Sequence, residues 1–336
     1  MAKRVLVTGA GGFIGGFIIE EALRRGYEVT AAVRESTSRR FLTDERILFL
    51  ILDYEDEQSM LQSISAEVAK SGRWDYVVHN LGATKAANFA AFETTNCEYL
   101  KRVVRCLKAA DAVPECLLMM SSMGVLGVGD ERGGSPFTDK SVPHPVTKYG
   151  LSKLLGENFL RSQTDVPYVI LRPTGVYGPH ERDYFLMIKS ISRGFDFSVG
   201  FREQRLTFIY VEDLARAVID ALERAPRGNA YLISEDRDYS QRDFRRIVKA
   251  ELGRRFVVPV KAPLWLVKMV CWASEQIALA TLKLSTLNRD KYKILRQRNW
   301  RCDVTGAERD FGFKARVSLA EGLHRAIEWY RSAGWL

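Results

Sequence analysis

The stretch from Lys3 to Gly15, KRVLVTGAGGFIG, constrains this chain more than any other. Val5-Leu6-Val7 has the pattern of a buried strand and runs straight into a turn with glycines at 9, 12 and 15. From about Phe13 to Arg25 the pattern is helical, and Gly26 ends it. Strand, glycine turn and helix in that order bring backbone amides close to a pyrophosphate. Gly9 permits the tight turn, and Gly12 leaves the phosphates unobstructed. Gly15 lets the helix lie close on the strand, and the helix N-terminus, with Phe13 and Ile14, faces the anion. The segment therefore predicts a dinucleotide site.

Short apolar runs alternate with helical patterns through the first half. Strands are expected over 3–8, 28–33, 47–52, 76–79, 115–121 and 168–172. Helices are expected over 13–25, 56–70, 88–110, 147–162 and 181–193. That alternation predicts an α/β fold, a Rossmann-type doubly wound parallel sheet with helices on both faces. After about residue 175 it loosens. A helix is expected from Glu212-Asp213 to Arg224, a short strand near Ala230–Ile233, and helices over 240–252 and 319–331. Residues 1–175 read as the dinucleotide domain. Residues 176–336 read as a smaller, helix-rich substrate lobe, with 205–225 packing back on the first domain.

Five cysteines (97, 106, 116, 271, 302) form no CxxC pair and no metal-ligand spacing with the four histidines, so free thiols and no metal centre are expected. The N-terminus is already strand, which leaves no room for a signal peptide. No apolar run reaches the ~18 residues that span a bilayer. The expected location is cytoplasmic, with contact at the inner face of the membrane as a peripheral protein. The net charge of +9 suits an anionic cofactor. The arginines are scattered without aromatic interleaving, which argues against nucleic acid as a partner.

Tyr149 and Lys153 stand at i and i+4, so on a helix both point to one face. An ammonium beside a phenol favours the phenolate, and a tyrosine tuned this way can exchange a proton with a substrate oxygen. Leu117-Leu118-Met119-Met120 reads as a buried parallel strand with Ser121-Ser122 at its carboxyl end, where open α/β sheets bind ligands.

Together these residues resemble the short-chain dehydrogenase/reductase superfamily in its extended branch, over nearly the whole chain. Thr8–Gly15 is similar to the TGxxGxxG fingerprint, and Tyr149 with Lys153 matches YxxxK. Ser121–Gly127 is similar to the SSxxVYG segment, and counting back from Gly127 puts Ser122 in the catalytic serine position. Leu52-Asp53-Tyr54 resembles the element that contacts adenine, and Val78–Ala83 the loop after strand 4 that lines the cofactor through Leu81, Gly82 and Ala83. Leu171–Pro179 resembles the LRPxxVYGP segment beside the nicotinamide, bringing in Pro173 and Val176, and Phe208–Ala215 resembles FIYVxDxA. The resemblance implies that Tyr149 passes the proton, Ser122 orients the oxygen, and Lys153 binds the nicotinamide ribose and tunes Tyr149. It also implies a homodimer formed through the helices over 88–110 and 147–162.

Strand 2 ends in Arg34, with Arg39 and Arg40 nearby, where an NAD site would want Asp or Glu about 20 residues past the glycines. A guanidinium can grip a 2′-phosphate, so NADP(H) is favoured over NAD(H); Glu35 in an NAD-like role is the alternative. Nucleotide-sugar members of the branch commonly carry Asn before VYGP and Arg before the xFIxV strand. Here Gly175 and Leu206 stand there, with Arg205 one residue off, which on a strand reverses the face. The segment from Pro263 to Leu287 is apolar-rich, and a basic stretch follows (Lys283, Arg289, Lys291, Lys293, Arg296, Arg298, Arg301). It reads as lobe core, as a greasy substrate wall that Tyr292 and Trp300 would complete, or as a helix resting on anionic headgroups. The lobe resembles the extended members that act on sterols and keto-lipids. The expectation is an NADP(H)-dependent reductase of a hydrophobic substrate, a 3-keto lipid first and a steroid next. The alternatives are a nucleotide-sugar epimerase or dehydratase with bound NAD, and a non-catalytic dinucleotide sensor.

Overall fold

A computed structural model describes residues 2–281 and 287–336. The apolar runs become strands β1 (Arg4–Thr8), β2 (Glu28–Val33), β3 (Leu48–Ile51), β4 (Tyr76–His79), β5 (Cys116–Met120) and β6 (Tyr168–Pro173). Short strands follow: β7 (Gly175–Tyr177), β8 (Phe195–Val199), β9 (Arg205–Tyr210), β10 (Asn229–Ile233), β11 (Asp238–Ser240) and β12 (Val258–Ala262). The main sheet has seven strands in the order β10-β6-β5-β4-β1-β2-β3, every pair parallel. The chain leaves β1 in one direction and resumes at β4 in the other, which opens a crevice beyond the carboxyl ends of those two strands.

Alternation along each strand feeds two cores. Val5, Val7, Leu118 and Leu171 pack on one face with helices α1 (Phe13–Arg24) and, later in the chain, Val211–Arg224. Leu6, Leu117, Met119 and Ile170 pack on the other with α2 (Glu57–Ser71) and Tyr99–Ala109.

The helix expected over 88–110 is three pieces: α3 (Phe89–Glu93), a π turn over Thr94–Glu98, and α4 (Tyr99–Ala109). The wider turn buries Asn96, whose amide grips the Ala83 backbone at both ends (2.8 and 3.0 Å) and meets Ser152 Oγ at 2.9 Å. The remaining helices are α5 (Lys148–Arg161), α6 (Asp183–Ser192), α7 (Val211–Arg224), α8 (Gln241–Glu251), α9 (Leu264–Thr281), α10 (Arg289–Leu295), α11 (Thr305–Phe311) and α12 (Leu319–Ser332).

The expected division at residue 175 does not part the fold into two contiguous pieces. β10 joins β6 as the sheet's edge, α7 packs on α1, and Phe311 of α11 joins the first core. The lobe is instead a third core around Tyr177, Phe208, Phe244, Leu323 and Tyr330. All five cysteines are free and buried.

His79 ends β4 beneath the crevice, fully buried, with Nδ1 3.2 Å from Thr8 Oγ1 and no hydrogen-bond partner for Nε2 among the described residues. Burial, helped by the nearby Lys153 charge, pulls its pKa down to about 3 from 6.5. Between those values the unfolded chain holds a proton that the folded chain refuses. Stability is therefore full above pH 6.5 and falls as pH drops toward 3. Denaturant unfolding across that window is expected to show this slope in the wild type and a flatter one in His79→Asn. An unchanged slope would absolve His79.

Candidate active site

A cleft of about 1210 Å³ fills the crevice. Gly9–Ile14, Arg34, Tyr54, Leu81 and Gly82 form one wall; Met120, Ser121, Ser122, Tyr149, Lys153, Pro173 and Val176 form the floor. Gly9 takes φ +67°, and a Cβ there would stand 2.8 Å from Leu81, so the two loops meet backbone to backbone. A Cβ on Gly15 would run into the Gly9 carbonyl oxygen, so Gly15 holds α1 against the turn without itself lining the cleft. The first turn of α1 carries no acidic side chain, which leaves its amides and positive dipole end open to an anion.

Two other expected contacts point elsewhere. The Asp53 carboxylate accepts the Glu55 amide at 2.9 Å, and only its neighbour Tyr54 reaches the cleft. Ala83 is held by Asn96 behind the wall. Arg34 lines the cleft with Ser36, Thr37 and Ser38, whereas Glu35 does not. Arg39 and Arg40 lie over the rings of Phe49 and Phe41. A nicotinamide dinucleotide fits these residues. The glycine turn admits phosphates, and Tyr54 and Thr174, whose buried hydroxyls have no hydrogen-bond partner among the described residues, line the same space.

Thr147 caps α5 by accepting the Gly150 amide at 3.0 Å, and the first turns of α5 put Tyr149 and Lys153 on one face. Lys153 is buried, and its ammonium donates to the Met120 carbonyl at 2.9 Å. Burial pulls its pKa down to about 8, with Glu157 opposing. Burial pushes the Tyr149 phenol up, and a hydrogen bond from Ser122 opposes that rise. Ser122 therefore eases Tyr149 ionisation, and the Lys153 ammonium on the same helix face is anchored at the Met120 carbonyl. Ser122 Oγ also accepts the Gly124 amide at 3.1 Å, which fixes the hydroxyl.

The two serines part company. Ser121 turns inward and donates to Glu157 Oε1 at 2.6 Å. Glu157 in turn takes a two-pronged grip from Arg172, at 2.9 and 2.5 Å. No motif in the sequence marks Glu157. Its signal was its i+4 spacing from Lys153 on the same helix face.

The far wall comes from the lobe: Glu181, Tyr184, Leu186, Met187, Leu287, Lys291 and Leu295. A Cβ at Gly175 would overlap the Tyr184 hydroxyl, so that hydroxyl occupies the space of any larger side chain. Leu206 packs into the lobe core, while Arg205 is turned outward to Glu203 (3.0 Å) and Asp238 (3.3 Å). Asp183 holds Lys85 at 2.8 Å and Lys291 at 3.8 Å. Tyr292 and Trp300 are not in the wall; Trp300 packs with Met123 and Leu126 behind it. Leu282, Lys283 and Leu284 lie outside the described residues.

The sequence profile of the NAD dependent epimerase/dehydratase family matches residues 5–234. UDP-glucose 4-epimerase of Vibrio cholerae is 22% identical, over 99% of this chain and 97% of its own length. Ceramide reductase of Caulobacter vibrioides is 23% identical, over 99% and 96%. The crystal structure of the Bordetella bronchiseptica enzyme WbmG in complex with NAD has a TM-score of 0.77 at 23% identity, covering 99% of this chain and 96% of that one, and so shares the fold. The matched segment runs from β1 through β10, spanning the glycine turn, Ser122, Tyr149 and Lys153, and the chain belongs to the NAD dependent epimerase/dehydratase family of enzymes, within the extended short-chain dehydrogenases/reductases.

Proposed function

We propose that this enzyme reduces a keto group on a hydrophobic substrate with NADPH, or oxidises the corresponding hydroxyl. A 3-keto lipid of the 3-ketosphinganine or 3-oxo-ceramide type is the preferred class, and a steroid the next. The observation that carries the reading is the Tyr184 hydroxyl standing where a side chain at position 175 would contact a nucleotide sugar. Arg205, tied to Glu203 and Asp238, supplies no phosphate grip either. Leu186, Met187, Leu287 and Leu295 put apolar side chains on the substrate side, among the charged Lys85, Glu181, Arg182, Asp183 and Lys291. The likeness to ceramide reductase supports the same class.

The bound dinucleotide supplies the hydride; the chain's own groups do the rest. The Ser122 and Tyr149 hydroxyls hold the carbonyl oxygen, and Tyr149 delivers its proton to that oxygen as negative charge develops there. Lys153, still protonated below about pH 8, stabilises the phenolate left behind and reaches the ribose. Arg34 receives the 2′-phosphate, with Ser36 and Ser38 beside it.

The test is turnover by the purified protein against long-chain 3-keto lipids, steroidal ketones and UDP-sugars with each cofactor. NADPH oxidation with a long-chain ketone is expected. Turnover of a nucleotide sugar with no net cofactor consumption would establish the epimerase alternative. Arg34→Ala is expected to raise KM for NADPH about tenfold or more and leave that for NADH within about twofold, as loss of one charged hydrogen-bonding grip requires. Equal effects on both cofactors would remove Arg34 from the phosphate site.

A further inference from the structure

Helix α9 shows an amphipathic pattern turned inside out. Trp265, Met269 and Trp272 form one row at i, i+4 and i+7, with Leu266, Val270 and Ile277 in the row beside it. All six are exposed, Trp265 and Ile277 at 64%. Cys271, on the opposite side, is buried. So the face toward the protein is covered, and the face toward solvent is the large apolar one. Leu264 lies against Gly200, which joins α9 to the ribbon of β8 and β12. At the ends of that ribbon Phe201 and Phe256 are 68% and 84% exposed. Exposed apolar surface of this extent marks a place where something else binds.

The charges around it narrow the occupant. Arg202, Arg254, Arg255, Lys261 and Lys268 are exposed and have no carboxylate within ion-pairing distance among the described residues. Much of the basic stretch after α9 is paired within the molecule: Arg289 with Glu275, Lys293 with Asp290, Arg298 with Glu131 and Arg301 with Asp238, while Arg296 is exposed without an ion pair among the described residues. A second copy of the chain seated on this face would bring like cations together and carries the same net charge of +9. An anionic bilayer supplies both an apolar interior and opposite charge. No helix among the described residues is long and apolar enough to cross a membrane, so the contact lies along the surface.

The geometry points to α9 and the β8–β12 ribbon as a seat on the surface of an anionic lipid bilayer. Trp265, Met269 and Trp272 enter the interface, and the unpaired cations meet headgroups. The seat adjoins the cleft. Leu186, 57% exposed, lines both the cleft and a second hollow of about 360 Å³ walled by Arg193, Phe195 and Phe197. On the other side, Glu275 of α9 pairs with Arg289 at the start of α10. Lys291 and Leu295 of α10 wall the cleft, and its Asp290 accepts the Lys148 amide one residue before Tyr149. If the substrate is the lipid proposed above, it reaches Tyr149 past Leu186 directly from the bilayer.

The test is co-sedimentation of the full chain with phosphatidylcholine vesicles, with and without about a third phosphatidylserine. Binding to the anionic vesicles is expected, falling with salt. Trp265→Gln with Trp272→Gln should weaken it about tenfold or more, and Arg254→Gln with Arg255→Gln by about thirtyfold. Both pairs are exposed, and circular dichroism should show the fold intact. Binding that neither pair weakens, or no binding to any vesicle, overturns the proposal. So does a dimer by light scattering that the tryptophan pair dissolves, which would assign the face to a second copy. Vesicle binding is read without cofactor or ketone, so its failure leaves the reductase reading standing, and a failure of ketone reduction leaves the seat standing.

Discussion

Tyr149→Phe is expected to lower kcat by about three orders of magnitude, the scale at which a positioned general acid contributes. The substitution removes one oxygen and keeps the ring, which packs against Phe92 with centroids 6.2 Å apart, so the melting temperature should stay near that of the wild type. The structure also assigns the tuning. Burial raises the Tyr149 phenol and Ser122 opposes the rise, so Ser122→Ala should lower kcat by about tenfold to a hundredfold. Lys153→Met should lower kcat and raise the cofactor KM together, because one ammonium serves both. In the wild type the limb that Lys153 controls should fall near pH 8, where its charge is lost. Full activity in Tyr149→Phe would dispose of the mechanism, and an unchanged kcat in Ser122→Ala would dispose of the serine's part in it.

What the sequence made legible was local. The glycine turn, the alternation of strands and helices and the i, i+4 pair each depend on neighbours in the chain, and β1 to β6 fall within about a residue of their expected bounds. What it hid depends on partners far away. β10 reads as part of the lobe because nothing local records that it lies beside β6, while β7 and β9 are short and aromatic and pair with each other across thirty or so residues. Asp53 and Ala83 sit at positions where a motif predicts contact, but a motif gives a place in the chain and not the direction of a side chain; a turn amide claims one and Asn96 the other. The same limit hid the partners of the basic stretch after α9. Its carboxylate partners Glu131, Asp238 and Glu275 come from elsewhere in the sequence. The π turn at Thr94–Glu98 has no periodic signature at all, and yet it aims Asn96 at the loop beside the cofactor wall.

Arg172→Met should cost about 3–5 kcal/mol of stability, the penalty for leaving a buried carboxylate without its cation. Arg172 is 2% exposed and Glu157 fully buried, and the two-pronged contact at 2.9 and 2.5 Å is Glu157's main compensation, with the half-exposed Arg161 more distant at 3.6 Å. The urea midpoint should fall with the slope unchanged. Replacing both partners, Glu157→Leu with Arg172→Met, should recover much of the loss, since the desolvated charge goes with its partner. The pair also has a reach that packing alone does not have. Glu157 favours the charged form of Lys153 one turn before it, and holds Ser121 so that Ser122 alone faces Tyr149. Glu157→Gln, which keeps the shape, should therefore move the limb that Lys153 controls to lower pH and reduce kcat at pH 8 more than at pH 6. A purely structural Glu157 would lose stability with no shift of that limb, and Arg172→Met within about 1 kcal/mol of wild type would show that the buried pair is not what holds α5 to the sheet.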